Sequence, residues 1–288
     1  MNRATKSLWR RRLEYRRKRL VAARRARNKK RVYKWSKLVQ QASIKLGLSH
    51  PKAPVPTRDK KPVVPKTPAK KPVVLNHPTN KSEHKKGIDV SVHNGSVEWA
   101  KVKAAGIDYA FCKTSEGGDW EDSTWTSARV TAMRKAGVQV GVYHYLRPRR
   151  DRSGAEEMKF FMKQAQSAGW GKEGDLRPVI DFEENGDLSG GKVLAYLSSA
   201  VDELKAITGK TPIIYTGGPF WDANTNSYSN NFGCPLWLAA YVTNPDKYLP
   251  AAWNHAGWAI WQHTDRGPVS GVSTDNVDQN ISKQLPSL

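Results

Sequence analysis

The chain has 288 residues, enough for one large domain with an appendage, and a formal charge of +22 that is very unevenly spread. Residues 1–86 hold 28 Lys and Arg against 3 Asp and Glu, while residues 87–288 hold 20 against 23, an asymmetry that points to a tail meeting a polyanion and not to a basic globule. No run approaches the roughly 18 apolar residues of a membrane span, and two cysteines, Cys112 and Cys234, exclude a disulfide framework and a cysteine metal cluster.

The first predicted element, residues 1–50, is a basic helical arm. Residues 3–46 contain no Pro or Gly and are rich in Arg, Lys, Ala and Leu. Trp35, Leu38, Val39 and Ala42 recur at i, i+3, i+4 and i+7, giving a narrow apolar stripe. One long helix and a helical hairpin near Asn28 fit equally well. The longest early apolar run, Leu20 to Ala23, is too short for a signal-peptide core. Residues 51–85 change character: Lys-Lys-Pro-Val-Val begins at Lys60 and returns at Lys70. Recurring Pro with Lys favours an extended, semi-rigid polyproline-II spacer.

From residue 86 to 288 the pattern alternates between strand and helix. Strands are predicted over 87–92, 108–114, 139–146, 178–183 and 212–216, each short, apolar and β-branched. Helices are predicted over 97–105, 123–136, 154–168 and 188–208. Aromatic-rich segments at 236–242 and 257–263 follow with looser connections. Near-continuous apolar strands argue for a parallel sheet covered on both faces. The fold class is therefore α/β, an irregular (β/α) barrel of TIM-barrel type whose last strands lack matching helices. Cys112, inside an apolar strand, reads as a buried thiol more readily than as half of a bridge.

Polar residues gather where these strands end: Asp89; Lys113, Thr114 and Glu116; Tyr143, His144 and Tyr145; Asp181 and Glu183; Tyr215 and Thr216. In a parallel α/β barrel that end is the active-site face. The strongest feature is Pro-Val-Ile-Asp-Phe-Glu-Glu-Asn-Gly at 178–186. In a strand, positions i and i+2 share a face, so Asp181 and Glu183 stand together with Phe182 turned away. A rise of ~3.3 Å per residue puts their Cβ atoms roughly 6–7 Å apart. Two carboxylates that close raise the pKa of one of them, as a general acid requires. A salt-bridged or capping acidic loop is the competing reading, and it suits Glu184 and Asp187. Tyr143, Tyr145, Tyr215, Trp237, Tyr241 and Trp261 lie near strand ends and offer flat faces for sugar rings, whereas Trp99 and Trp125 on helices read as core.

Taken in order, Gly-Ile-Asp-Val-Ser at 87–91, Glu-Trp at 98–99, Lys-Thr-Ser-Glu-Gly at 113–117, Gly-Val-Tyr-His-Tyr at 141–145, Ile-Asp-Phe-Glu at 180–183, Ile-Ile-Tyr-Thr at 213–216, Leu-Trp-Leu-Ala-Ala-Tyr at 236–241, Trp-Gln-His at 261–263 and Val-Asp-Gln-Asn at 277–280 resemble the Chalaropsis-type lysozymes, glycoside hydrolase family 25. That family is common among bacteriophage endolysins. The resemblance implies an irregular barrel of five βα units with further strands. It also implies cleavage of the β-1,4 bond between N-acetylmuramic acid and N-acetylglucosamine, without metal or other cofactor. By position, Glu183 matches the family's general acid, and Asp89, Asp181 and Asp278 its other active-site carboxylates. The chain departs at Val92-His93-Asn94-Gly95, where members often show an aromatic and Gln, and at Ser115, where Ala is common; neither change touches a carboxylate.

The implied partner is the glycan strand of peptidoglycan, with Glu116 and the six aromatics as substrate contacts. The arm is expected to bind an anionic wall polymer or membrane surface, with nucleic acid as the alternative. A monomer is expected, held in a host cytoplasm until release and acting on the bacterial wall. A sugar-binding module without activity is the rival on the same barrel, and the presence of all four carboxylates disfavours it.

Overall fold

The computed structural model describes residues 84–288, apart from Asp187 and Ser189. The helical arm over 1–50, nearly all of the spacer over 51–85 and the capping reading of Asp187 lie outside the described residues.

The strands are β1 (Lys85–Val90), β2 (Tyr109–Glu116), β3 (Trp120–Glu121), β4 (Gln139–Tyr145), β5 (Val179–Asp181), β6 (Ile213–Thr216), β7 (Leu236–Ala239), β8 (Ile260–Thr264) and β9 (Asp278–Ser282). β1, β2, β4, β5, β6, β7 and β8 pair in parallel in that order, and β9 runs antiparallel between β8 and β1. Among the described residues this closes an eight-stranded mixed barrel, with β3 folded back antiparallel on β2. The helices α1 (Trp99–Ala104), α2 (Ser127–Ala136), α3 (Gly154–Ser167), α4 (Gly191–Thr208) and α5 (Gly218–Thr225) follow β1, β3, β4, β5 and β6. β7, β8 and β9 are joined by loops and short 3-10 turns instead. The expected irregular barrel is the observed one.

Strand alternation sorts the core into two layers. Tyr109, Phe111, Val179, Ile213, Tyr215, Trp237 and Ile260 fill the barrel interior. Their neighbours Ala110, Cys112, Ile180, Ile214, Leu236, Leu238 and Trp261 face outward and pack under the helices with Trp99 and Trp125. Cys112 is a free, fully buried thiol whose pKa burial pushes up to about 11.

Helix starts differ from expectation for local reasons. α2 begins at Ser127 and not at 123 because the Asp122 carboxylate first closes a turn on the Thr124 amide and hydroxyl, and the Thr126 hydroxyl then accepts the Arg129 amide as the cap. α4 begins at Gly191, after Gly190 at φ 52°, where 188 was expected. α3 starts at its expected residue, fixed by the reciprocal Ser153–Glu156 capping box. Three elements escaped the sequence reading: β3, α5 and β9. Each is short, and none carries the periodicity that marks a longer segment.

Candidate active site

The carboxylates converge at the end of the barrel where the parallel strands terminate. Ile88 and Val90 face the outer layer, so Asp89 between them points inward, and the β1–β9 register sets Asp278 directly opposite. Asp89 accepts from the Gln262 side-chain amide at 3.0 Å and the Asn280 amide at 2.8 Å. Those amides cannot turn over freely. The Gln262 oxygen accepts the hydroxyls of Tyr215 and Tyr241, both at 2.8 Å, and the Asn280 oxygen accepts Trp237 Nε1 at 2.8 Å. Each amide therefore has its acceptor end occupied and its donor end aimed at Asp89.

Charge is crowded here. Burial pushes Asp89 up to about 6, despite its two amide donors, and the Glu183 charge adds to the rise. Asp278 is pushed up to about 8 by burial first and then by the charge of Asp89, with which it shares a hydrogen bond. Near neutral pH the pair accordingly holds about one proton between them. Asp181 also lies well above the usual carboxylate range, through burial first and the Glu183 charge second, with Lys113 opposing. Its Oδ1 is buried with no hydrogen-bond partner among the described residues. Phe182 turns outward against Phe220 and Trp221, at ring separations of 5.0 and 6.0 Å, and Glu183 emerges exposed. The alternation expected over Asp181, Phe182 and Glu183 holds, although β5 proper ends at Asp181.

A second network borders the carboxylates. Lys113 Nζ pairs with Glu116 at 2.7 Å and lies over the rings of Tyr145 and Trp120, at 4.8 and 5.1 Å. Arg147 Nε donates to Glu116 at 2.7 Å, its Nη1 pairs with Glu184, and its guanidinium covers Tyr145 at 4.7 Å. Burial alone would raise Glu116, but Arg147 and Lys113 outweigh it and bring the carboxyl down to about 2. Glu116 is thus held by cations at the cleft edge, and Glu184 is salt-bridged as expected.

Of the expected sugar contacts, Tyr143 is half-buried within the electrostatic reach of Asp89, Asp181 and Asp278. Tyr145 and Tyr215 line the same end, and Tyr241, 52% exposed, stands at the rim through its bond to Gln262. Trp237 lies deeper, stacked on Phe111 at 4.6 Å, and acts on the site through Asn280. Trp261 is not brought to the cleft. Strand alternation in β8 turns it into the outer layer, where its Nε1 donates to the Ala240 carbonyl at 2.6 Å, and Gln262 takes the inward position. Gln262, Asn280, Arg147 and Trp120 were missed as site residues, and Lys113 was read only as one of the polar residues at the strand ends. The inward parity of Gln262 with Ile260, and of Asn280 with Asp278, was the signal that could have found the first two.

Behind β2 and β4 runs a buried chain. Ser115 Oγ meets His144 Nδ1 at 2.8 Å, His144 Nε2 meets Glu157 at 2.8 Å, and Glu157 also accepts Tyr196 OH and the Arg147 amide at 2.7 Å. Ser115, His144 and Glu157 are fully buried. The chain joins β2, β4, α3 and α4 on the side away from the carboxylates. Gly186, at φ 57°, completes the site's frame: a Cβ there would stand 1.6 Å from the Pro148 carbonyl oxygen, so the loop after β5 packs directly on the loop after β4.

Known proteins resemble this chain in sequence and fold. The sequence pattern of glycosyl hydrolases family 25 matches residues 88–272. Lysozyme M1 of Streptomyces globisporus is 32% identical over 202 residues, 67% of this chain, and the match spans 66% of that relative's own length. The bacterial lysozyme from Streptomyces coelicolor superimposes with a TM-score of 0.62 at 31% identity, covering 70% of this chain and 92% of that one. The CTP1L endolysin superimposes with a TM-score of 0.54 at 26% identity, covering 68% and 65%. With the family pattern running through most of the barrel that carries the carboxylates, the chain belongs to glycosyl hydrolases family 25 and is a glycoside hydrolase.

Proposed function

We propose that the protein is a peptidoglycan muramidase that cleaves the β-1,4 bond between N-acetylmuramic acid and N-acetylglucosamine. One observation carries this reading: an exposed carboxylate, Glu183, faces three carboxylates whose pKa values the fold raises, Asp89, Asp181 and Asp278. Glycoside hydrolysis requires such a set, one acid to protonate the leaving oxygen and a second carboxylate across the bond. Glu183 is the general acid. Asp181, with a buried and unpartnered oxygen, supports the positive charge that grows at the sugar carbon or orients the substrate's acetamido group. Asp89 and Asp278 fix the polarity of the cleft, and Tyr143, Tyr145, Tyr215 and Tyr241 offer faces and hydroxyls to the sugars.

Glu183→Gln is expected to fold normally and to lose roughly 10²–10⁴-fold in turnover on purified walls, the usual worth of positioned acid catalysis. Near-wild-type turnover by a variant of unchanged thermal stability would remove Glu183 from the mechanism.

The biological setting is that of an endolysin, a reading supported by the likeness to the CTP1L endolysin. The enzyme accumulates in the host cytoplasm and acts on the wall after release. Residues 1–86, with 28 cations against 3 anions, bind a polyanionic surface and tether the barrel to it.

A further inference from the structure

Four arginines, Arg147, Arg149, Arg150 and Arg152, fall within six residues of the loop joining β4 to α3. Arg147 is committed to Glu116 and Glu184 in the cleft. Beyond it the loop turns toward the start of α4 and walls a separate pocket of about 560 Å³. Arg149, Arg150 and Lys192 line this pocket together with Leu188, Ala195 and Tyr196. Arg149 is paired with Asp151 at 2.7 Å. Among the described residues Arg150 and Lys192 have no ion-pair partner, and both are exposed. The pocket's hydroxyl groups are already engaged: Tyr196 donates to Glu157, Ser199 to the Tyr196 carbonyl, and Ser153 to Glu156 at 2.9 Å. Its free donors are cationic, and its remaining wall is aliphatic.

We propose that this pocket is a second binding site, beside the catalytic cleft, for the carboxylates of the peptide stem that hangs from the glycan. Three observations converge on that ligand. The pocket lies on the strand-end side of the barrel, in the loop that supplies Arg147 to the cleft and that touches the loop carrying Glu183 at the Gly186–Pro148 contact. Arg150 and Lys192, without an ion-pair partner among the described residues, call for an anion. Leu188 and Ala195 suit the aliphatic parts of a short peptide better than the hydrated polyol of a phosphate polymer. The assignment of the stem as ligand rests on the muramidase reading, since the stem reaches the rim only when the glycan occupies the cleft.

The test compares the full-length protein with Arg150→Gln/Lys192→Gln at ~0.2 M salt, where screening quiets the basic N-terminal region equally in both. On soluble glycan carrying stem peptides the double variant is expected to lose roughly three- to tenfold in kcat/KM through KM, as two partly exposed ion pairs would give. On peptide-free glycan, and on stems whose carboxylates are amidated, the two proteins should be equal. An equal loss on all three substrates, or no loss on the first, overturns the proposal. So does a loss that appears only on walls bearing phosphate polymers and vanishes when these are stripped. Binding of a synthetic stem tripeptide with free carboxylates, followed by chemical-shift or calorimetric titration, should be saturable in the wild type and weaker in the variant. Absence of hydrolysis by the wild type would count against the muramidase reading alone, whereas equal tripeptide binding by both proteins would count against the pocket.

Discussion

Asp278 shows what a single position in the cleft costs the fold. A carboxyl whose folded pKa lies above its ordinary value near 4 binds its proton more tightly folded than unfolded. Stability is then greatest where the group is protonated, and it declines as pH rises from about 4 through the folded values. For Asp89 and Asp278 those values are about 6 and about 8, so the window of decline runs from pH 4 to 8. Asp278→Asn removes one charge from the pair while keeping a group that can hydrogen-bond to Asp89. It is expected to raise the melting temperature by roughly 2–4 °C at pH 8 and to change it little at pH 4. Thermal melts of both proteins across this range check the sign. A wild type that grows more stable between pH 6 and 8, with the variant unchanged, would contradict it. Activity should fall even as stability rises, the usual tension at a charged site.

Two devices hold the elements that present these residues. The first is the buried chain through Ser115, His144, Glu157 and Tyr196, which ties the ends of β2 and β4 to α3 and α4. Burial would raise Glu157, but its hydrogen bonds from His144 and Tyr196 outweigh this and keep it below the ordinary range. Glu157→Ala strands a buried imidazole, a hydroxyl and the Arg147 amide, and it should destabilise the barrel by about 3–5 kcal/mol in denaturant unfolding. A loss under 1 kcal/mol would show that water or rearrangement replaces the carboxylate. The second device is Gly186. Its positive φ and the adjacent Pro148 carbonyl leave no room for a Cβ, so Gly186→Ala must part the two loops. The variant is expected to lose up to about 10²-fold in kcat, because displaced catalytic groups lose their alignment, while the melting temperature falls far less than for Glu157→Ala. Unchanged kcat would mean that Glu183 is placed by β5 alone.

At the scale of the whole molecule the question is what residues 1–83 add to the barrel. β1 starts at Lys85 and pairs with both β2 and β9, so a chain beginning at His84 keeps every barrel strand. This shortened chain should digest soluble glycan like the full protein. It should lyse intact cells more slowly at low salt, with the difference shrinking past ~0.2 M as screening weakens the contacts of the longer protein. Equal lysis at low salt would sink the tethering proposal, and tight binding of residues 1–86 to duplex DNA but not to walls would redirect it to nucleic acid.

The sequence by itself determined the strand–helix alternation, the barrel class, and the pairing of Asp181 with Glu183 on one face, because these follow from periods of 2 and 3.6 that any local stretch must obey. It also pointed, through ordered motifs, to the four carboxylates that the structure brings to one end of the barrel. Only the tertiary structure decided which way β8 faces. Trp261 and Gln262 are adjacent and equally plausible by composition, and barrel closure through the antiparallel β9 put Gln262 inside, against Asp89, and Trp261 outside. The same closure set Asp278 opposite Asp89, almost 190 residues away in the chain, and so raised the pKa of both. It likewise brought Arg147 between Glu116 and Glu184, and Lys192 to the pocket of Arg149 and Arg150. Those are charge relations between distant segments. Local pattern carries no term for them, because their energy depends on separation and burial, which exist only once the chain has closed.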